Sequence, residues 1–578
     1  MIDLRNVNML WASVLIETWY RCGLAMAVIC PGSRSTPLTL AFANHPGIIT
    51  IPILDERSAA FFALGRAKKT GLPIALVCTS GTAGANFYPA VIEAKESGVP
   101  LIILTADRPP ELRNCRAGQT IDQVKLYGNL PNWQCELALP EATPAMLRYL
   151  RQTIIQAWQQ SLLPIPGVVH LNVPLREPLA PNGQSLAIKS QFLMDDFFSM
   201  IPSLPSMPTN YADAAFLPWN SWQGKSGIII AGLSQPQDPQ AYCQAIALLS
   251  QLLSFPVLAE ALSPLRNYAR LNPYLISTYD SILRQPTAHK LIPEVVIQIG
   301  ELPTSKQLRT WLDKLVIERW LIDEKVENLD PLHGKTIQIH SSIEQVAQNI
   351  TQNIKIEAEN SPKSSYCQQW CQLEAATRTS LDIALETLHD LHEGKAAWLV
   401  SHSLPSGTPI FIANSMSVRN AEYFWQPNNN QIVSYFNRGA NGIDGTLSTA
   451  LGIAYQDAGV LLTGDLALLH DTNGFLIRQK FQGHLTIIVI NNNGGGIFEM
   501  LPIADFPSFE EYFATPQSVD LAQLCAAYDV EHQKIKSWQQ LGSLIKNLPK
   551  SGIRVLELTC DRHVDAVWLK NNLAKFGK

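Results

Sequence analysis

The sequence predicts an α/β protein built from three doubly wound units with mostly parallel sheets. Three observations carry that prediction. The chain has 578 residues, too many for one hydrophobic core and enough for about three or four domains of roughly 100–200 residues each. Near-continuous apolar runs of strand length recur along it, separated by helical patterns, which is how strands buried on both faces of a parallel sheet read. These runs end in Gly, Pro or short polar residues, at the carboxyl edge where such sheets bind ligands.

Bulk composition narrows the class. Hydrophobic residues make up 46% and charged residues only 16%, against about 25% charged in ordinary soluble domains. Much of the surface is therefore expected to be committed to contacts such as subunit interfaces. A net charge of −5 gives no bulk attraction for nucleic acid or anionic membranes. No apolar run approaches the ~18 residues needed to span a bilayer. The opening "MIDLRNVNMLWASVLIETWYRCG" scatters charges and has no cleavable signal pattern. The ten cysteines are dispersed, and the single close pair, Cys367 and Cys371 in "CQQWC", lacks the second pair a structural metal site needs. A reducing, cytoplasmic setting is expected.

Taken in order, residues 1–190 carry strands at "LAMAVICPG" (24–32), "PIALVCTSG" (73–81) and "VPLIILTADRPP" (99–110). Residues 191–225, crowded with Pro and Ser in "MIPSLPSMPTN", read as a linker. A second α/β unit follows, with strands at 224–234, 294–303 and 318–324, until the polar run "IEAENSPKSSY" (356–366) interrupts it. The third unit opens with a helix near 370 and continues through apolar runs read as strands: "AAWLVSHS", "PIFIANSMSVR", "GVLLTGDLALLHD", "LTIIVINNNGGGIF" and "IRVLELTCD". The boundaries are 1–190, 191–365 and 366–578.

The third unit holds the most informative pattern. Gly464-Asp465 ends one buried strand and Asn491–Asn493 ends the next. Asp465 and Asn492 lie 27 residues apart, the length of one helix plus one strand, so parallel neighbours bring both polar ends to one sheet edge. A carboxylate, an amide oxygen and a carbonyl exposed by the following glycines form a hard oxygen site. Mg²⁺ prefers such a site and completes its octahedron with phosphate oxygens and water. The glycines let backbone N–H groups approach those phosphates.

This pattern resembles the motif of the thiamine diphosphate-dependent enzymes, Gly-Asp followed some 25–30 residues later by Asn-Asn. Leu466 stands where the commoner form has Gly. The resemblance implies a pyrimidine-binding first unit, a central α/β unit and a diphosphate-binding third unit. It also implies Mg²⁺ or Mn²⁺ on Asp465, Asn492 and the Gly494 carbonyl, and a cofactor cradle including Gly464, Leu466 and Gly495. Such enzymes need a carboxylic acid at the aminopyrimidine, supplied by the first unit of a neighbouring subunit. Glu56, after the strand in "TIPILDERSAAFFALGRAKKTG", is the expected donor; read alone, Asp55-Glu56 is an ordinary helix start. Ile443, between glycines in "NRGANGIDGTLSTALG", is the apolar wedge that bends the cofactor. A homodimer is then the minimum assembly, with tetramers common in the family. His470, beside the metal motif, is expected to start the helix between its two halves.

Arginine recognises carboxylates with a planar fork, and several arginines fall at predicted strand ends. The set "CPGSRSTPLTLAF", "TADRPPELR", "NSMSVR" and "NRGANGIDG" is similar to one branch of the superfamily. That branch decarboxylates 2-oxoglutarate and adds the succinyl carbanion to isochorismate in a 1,4-addition, a transferase step toward menaquinone or phylloquinone. The resemblance places Ser415, Arg419 and Arg438 at the distal carboxylate of the succinyl unit. It places Ser33, Arg34, Arg108, Gln119 and Lys306 at isochorismate. Gln307 departs from a family Lys-Arg pair, so either Arg309 substitutes or one contact is missing. Ile497, Phe498 and Leu501 would wall the cofactor from water. The rivals are a related enzyme with another acceptor, which would carry fewer carboxylate-binding arginines, and a non-catalytic homologue, which would lack Glu56 or the metal ligands.

Overall fold

A computed structural model describes residues 2–182, 197–199, 201, 217–353 and 364–576. Most of the expected linker at 191–225 and of the polar break at 356–366 lies outside these residues. The described chain forms three six-stranded sheets, all parallel apart from one isolated antiparallel bridge outside the strands. The first holds β1 (Met26–Ile29), β2 (Ile49–Pro52), β3 (Ile74–Cys78), β4 (Leu101–Asp107), β5 (Trp133–Glu136) and β6 (Val168–Pro174), in the order β2-β1-β3-β4-β6-β5. The second holds β7 (Gly227–Ala231), β8 (Val257–Ala259), β9 (Leu275–Ile276), β10 (Val295–Ile299), β11 (Glu318–Asp323) and β12 (Lys335–His340), ordered β12-β11-β10-β7-β8-β9. The third holds β13 (Pro409–Ile412), β14 (Val433–Tyr435), β15 (Ala458–Gly464), β16 (His484–Asn491), β17 (Glu531–Lys534) and β18 (Gly552–Thr559), ordered β14-β13-β15-β16-β18-β17.

Burial explains why the apolar runs are strands. In β7, Ile228 and Ile230 enter one core cluster while Ile229 and Ala231 enter another, so both faces of the second sheet are covered. The register of the third sheet does what the motif spacing requires. β15 and β16 pair from Ala458↔His484 through Gly464↔Ile490, so Asp465 and the Asn491–Asn493 amides leave the sheet at the same edge.

One apolar run behaves otherwise. "AAWLVSHS" belongs to the helix Glu393–Ser403, not to a strand. Its buried residues Ala396, Ala397 and Val400 recur at helical spacing, and the His392 side chain caps the helix by accepting from Gly394 N. The edge strand β17, "EHQK", has no apolar run to betray it. His470 closes the helix Asp465–His470 instead of starting one.

Close packing divides the chain into two compact units. One comprises 1–208, 437–457 and 467–483; the other comprises 209–436, 458–466 and 484–578. Within the first, the helices Glu56–Thr70 and Thr446–Ala454 approach through glycine. A Cβ on Gly65 would stand 2.0 Å from the Thr449 carbonyl oxygen, and one on Gly452 would stand 2.1 Å from that of Phe62. Because backbone cannot swing aside, Gly65→Ala is expected to lower unfolding stability by about 3 kcal/mol, the upper part of the overpacking range. Urea unfolding of the two proteins measures it.

Candidate active site

The motif edge of the third sheet is built around one buried carboxylate. Asp465, only 6% exposed, begins the helix after β15. Its Oδ1 accepts from Leu466 N at 2.8 Å and its Oδ2 from Gly494 N at 2.9 Å. Burial pushes its pKa above the usual carboxylate range, and these N–H groups partly oppose that. No cationic side chain among the described residues pairs with it. The loop that meets it is contorted: Asn493 has φ +60° and Gly494 φ +130°. A Cβ at Gly494 would also stand 2.3 Å from the Ala514 carbonyl oxygen, so glycine is required twice over. At Gly464 a Cβ would meet nothing within 4 Å, which leaves open space beside the carboxylate.

Asn492 is 6% exposed and donates through Nδ2 to Glu393 Oε2 at 3.4 Å, which turns its Oδ1 away from Glu393. No cluster of three or more His, Cys, Asp and Glu able to hold a metal occurs among the described residues. The donor set here is one carboxylate, one amide oxygen and one carbonyl. An uncompensated buried carboxylate beside open space fits a hard divalent cation that brings phosphate oxygens of its own. Cys367, buried, and Cys371, half-buried, lie one turn apart on the helix Ser365–Glu386.

Beyond the glycines, Gly496–Met500 forms a 3₁₀ turn that places Ile497 and Phe498 half-buried and Leu501 exposed. The Phe498 and Phe513 rings meet edge to face at 5.8 Å. Arg562, not read as functional in the sequence, clamps this segment. It donates to the Asn493 carbonyl at 2.6 Å and to Glu510 at 2.6 Å, and pairs with Glu499 at 3.2 Å.

Ser415 and Arg419 stand at the start of the helix Met416–Phe424. Ser415 adopts φ +64°, ψ −130°, a strained conformation for a residue with a Cβ. Its hydroxyl makes no capping bond, and Arg419 Nη1 donates to its carbonyl at 2.7 Å. Burial lowers the Arg419 pKa; Tyr423 opposes this and the nearby Arg309 guanidinium adds to it. Neither arginine has a carboxylate partner among the described residues. Arg309 is held by the Pro303 carbonyl at 2.9 Å, whereas Gln307 is turned to the Leu283 carbonyl at 2.8 Å and Lys306 is exposed.

A network invisible in the sequence anchors this helix. Fully buried Arg266 pairs with Glu422 at 3.3 Å, Ala261 N donates to Glu422 at 2.8 Å, and the Tyr279 hydroxyl donates to its other oxygen. Burial lifts the Glu422 pKa to about 8.

In the first compact unit, Glu56 is the first residue of its helix, half-buried behind the N-cap Asp55. It lies near the thiols of Cys30 and Cys78, whose pKa values are pushed well up, chiefly by burial and secondarily by charges including Glu56. Arg108 donates to the Ser80 hydroxyl and Gln119, at φ +58°, donates to the Ser80 carbonyl at 2.9 Å. Burial, and secondarily the nearby Arg34 guanidinium, lower the Arg108 pKa; Arg34 is itself held by the Leu175 carbonyl at 2.9 Å and pairs with Glu177 at 3.4 Å. Arg34, Arg108 and Gln119 are thus gathered at the strand ends, with Ser33 exposed beside them. Arg438 and half-buried Ile443 lie on the loop before Thr446–Ala454. Buried Glu93 fixes that loop by accepting from Gly439 N at 3.1 Å and Ala440 N at 2.7 Å.

A pH dependence follows from the buried acids. Burial raises Glu393 to about 8 and Asp565 to about 7, while it depresses His392 and His170 to about 4. An acid whose folded pKa is raised contributes stability below its unfolded pKa that is lost as pH rises through the folded value. The histidines act oppositely, but only below about pH 6.5. Between pH 6.5 and 8 the acids dominate, and ligand-free protein should lose about 2 kcal/mol through Glu393 alone. Thermal midpoints should fall over that window, and Asp565→Asn should flatten the fall.

Comparison with known proteins gives the class and then the branch. The model described as "Thiamine pyrophosphate enzyme, N-terminal TPP binding domain" matches residues 9–126. The "Middle domain of thiamine pyrophosphate" model matches 211–412, and the C-terminal TPP binding domain model matches 415–558. Across 100% of its length the chain is 64% identical to the 2-succinyl-5-enolpyruvyl-6-hydroxy-3-cyclohexene-1-carboxylate synthase of Gloeothece citriformis (strain PCC 7424), covering 99% of that protein. It is 60% identical to the same-named synthase of Trichodesmium erythraeum (strain IMS101), with 100% and 99% covered. The corresponding figures for Rippkaea orientalis (strain PCC 8801 / RF-1) are 59%, 100% and 98%. This chain belongs to the thiamine diphosphate-dependent enzymes and, within them, to the 2-succinyl-5-enolpyruvyl-6-hydroxy-3-cyclohexene-1-carboxylate synthase family.

Proposed function

We propose that the chain decarboxylates 2-oxoglutarate and joins the succinyl unit to isochorismate, giving CO₂ and 2-succinyl-5-enolpyruvyl-6-hydroxy-3-cyclohexene-1-carboxylate on the way to menaquinone or phylloquinone. The observation that carries the reading is Arg419, largely buried beside Arg309 with no acid partner for either among the described residues. Two guanidiniums close enough to feel each other's charge, with no acid to offset them, favour an anion nearby, as a substrate carboxylate would supply.

Bound thiamine diphosphate supplies the electron sink for cleavage at the 2-oxo carbon. The chain does the rest. Asp465, Asn492 Oδ1 and the Gly494 carbonyl hold Mg²⁺ or Mn²⁺, and backbone at Gly464, Leu466 and Gly495 receives the diphosphate. Glu56 holds a proton for the pyrimidine ring nitrogen, and Ile443 props the cofactor bent. Ser415, Arg419 and Arg438 orient the distal carboxylate of 2-oxoglutarate. Ser33, Arg34, Arg108, Gln119 and Lys306 orient isochorismate. Ile497, Phe498 and Leu501 exclude water that would protonate the reacting carbon. The division into 1–190, 191–365 and 366–578, a cytoplasmic location and assembly at least as a homodimer, with Glu56 serving the cofactor of the neighbouring subunit, complete the proposal. No helix among the described residues is long and apolar enough to cross a membrane.

CO₂ release from 2-oxoglutarate, measured with thiamine diphosphate and Mg²⁺ and with or without isochorismate, tests it. Strong stimulation by isochorismate with formation of the succinylated cyclohexene is expected. Turnover of pyruvate in place of 2-oxoglutarate would sink the substrate assignment and leave the cofactor reading standing.

A further inference from the structure

Glu393 has no place in the reading above, yet it is 4% exposed and at the centre of the third sheet's site. It begins the helix Glu393–Ser403, and its own N–H donates to Asp565 Oδ2 at 3.0 Å. Its carboxyl accepts from Asn492 Nδ2 at 3.4 Å and is hydrogen-bonded by the side chain of Asn420. Asn420 follows Arg419 on the helix that begins after Ser415, and its Oδ1 is buried with no hydrogen-bond partner, so its amide group is turned to Glu393. The nitrogen side of Asn492 is also confined by Gly496, where an added Cβ would stand 2.8 Å from Nδ2. With Nδ2 given to the Glu393 carboxyl, Asn492 presents Oδ1 on the opposite side.

We propose that Glu393 is a positioning residue that locks the Asn492 amide with its oxygen toward the divalent cation and ties that amide, through Asn420, to the helix carrying Arg419. The inference rests on the metal reading of Asp465 and Asn492. Outer-shell partners of metal ligands typically set 10–100-fold of affinity, because an amide free to rotate presents its nitrogen as readily as its oxygen.

The test is Mn²⁺ binding to full-length protein with saturating thiamine diphosphate, followed by the electron paramagnetic resonance of free Mn²⁺, together with ligand-free thermal midpoints. Glu393→Met removes the acceptor, and Glu393→Asp retains a carboxyl but withdraws it from Asn492. Both are expected to weaken Mn²⁺ at least about 10-fold, whereas Glu393→Gln, which keeps a carbonyl acceptor, should stay within about threefold. The apparent KM for 2-oxoglutarate should rise with the Mn²⁺ dissociation constant in Met and Asp but not in Gln. Folded Met or Asp protein that binds Mn²⁺ within twofold of the parent would overturn the proposal, and Asp alone decides should Met not fold. Asp465→Asn serves as the control. If it too binds Mn²⁺ normally, the metal reading itself is wrong; if it loses Mn²⁺ while the Glu393 variants keep it, only the role of Glu393 fails.

Discussion

Glu56→Gln is expected to lower kcat by on the order of 10²–10⁴, the range that a positioned proton donor contributes, while the protein stays folded. The change is nearly isosteric, and Glu56 makes no ion pair among the described residues. The N-cap bond that starts its helix belongs to Asp55, which accepts from Ser58 N at 2.9 Å. The loss should therefore appear in turnover and not in the unfolding midpoint. Single-turnover CO₂ release and thermal unfolding, run on the same preparations, separate the two effects. Retention of parental turnover would remove Glu56 from the mechanism.

Asp465→Asn should abolish the stabilisation that thiamine diphosphate and Mg²⁺ confer. A ligand at 1,000 times its dissociation constant adds about 4 kcal/mol to the folded state, and the variant should forfeit nearly all of it. In the ligand-free protein the sign is different. Asp465 is desolvated without a cationic partner, so its charge is a liability there; the amide keeps an oxygen for only one of the Leu466 and Gly494 N–H groups, which offsets part of that gain. Ligand-free stability should hold or rise. Thermal scans with and without ligands read both quantities, and an unchanged ligand-induced shift would place the cation elsewhere.

What could be read from the sequence was whatever the backbone makes periodic. Buried parallel strands announce themselves by composition, and their register carried Gly464-Asp465 and Asn491–Asn493 to one edge as their spacing required. "AAWLVSHS" misled because a short apolar run has the same letters in a buried helix as in a strand. β17 was silent because an edge strand needs no apolar face. The supporting polar residues were illegible for another reason. Glu393, Glu422 and Arg266 look like surface charges at helix or loop positions, and their partners lie far away in the chain: Glu393 meets Asn492, and Arg266 meets Glu422. Nothing local marks such a pair.

The glycine-mediated contact between Glu56–Thr70 and Thr446–Ala454 also sets a schedule for biosynthesis. The second helix leaves the ribosome roughly 390 residues after Gly65, a delay of about 20–80 s at ordinary elongation rates. Throughout that interval the Phe62–Gly65 face of the first helix waits for its cover. An N-terminal fragment that ends before the second helix is therefore expected to leave this face uncovered.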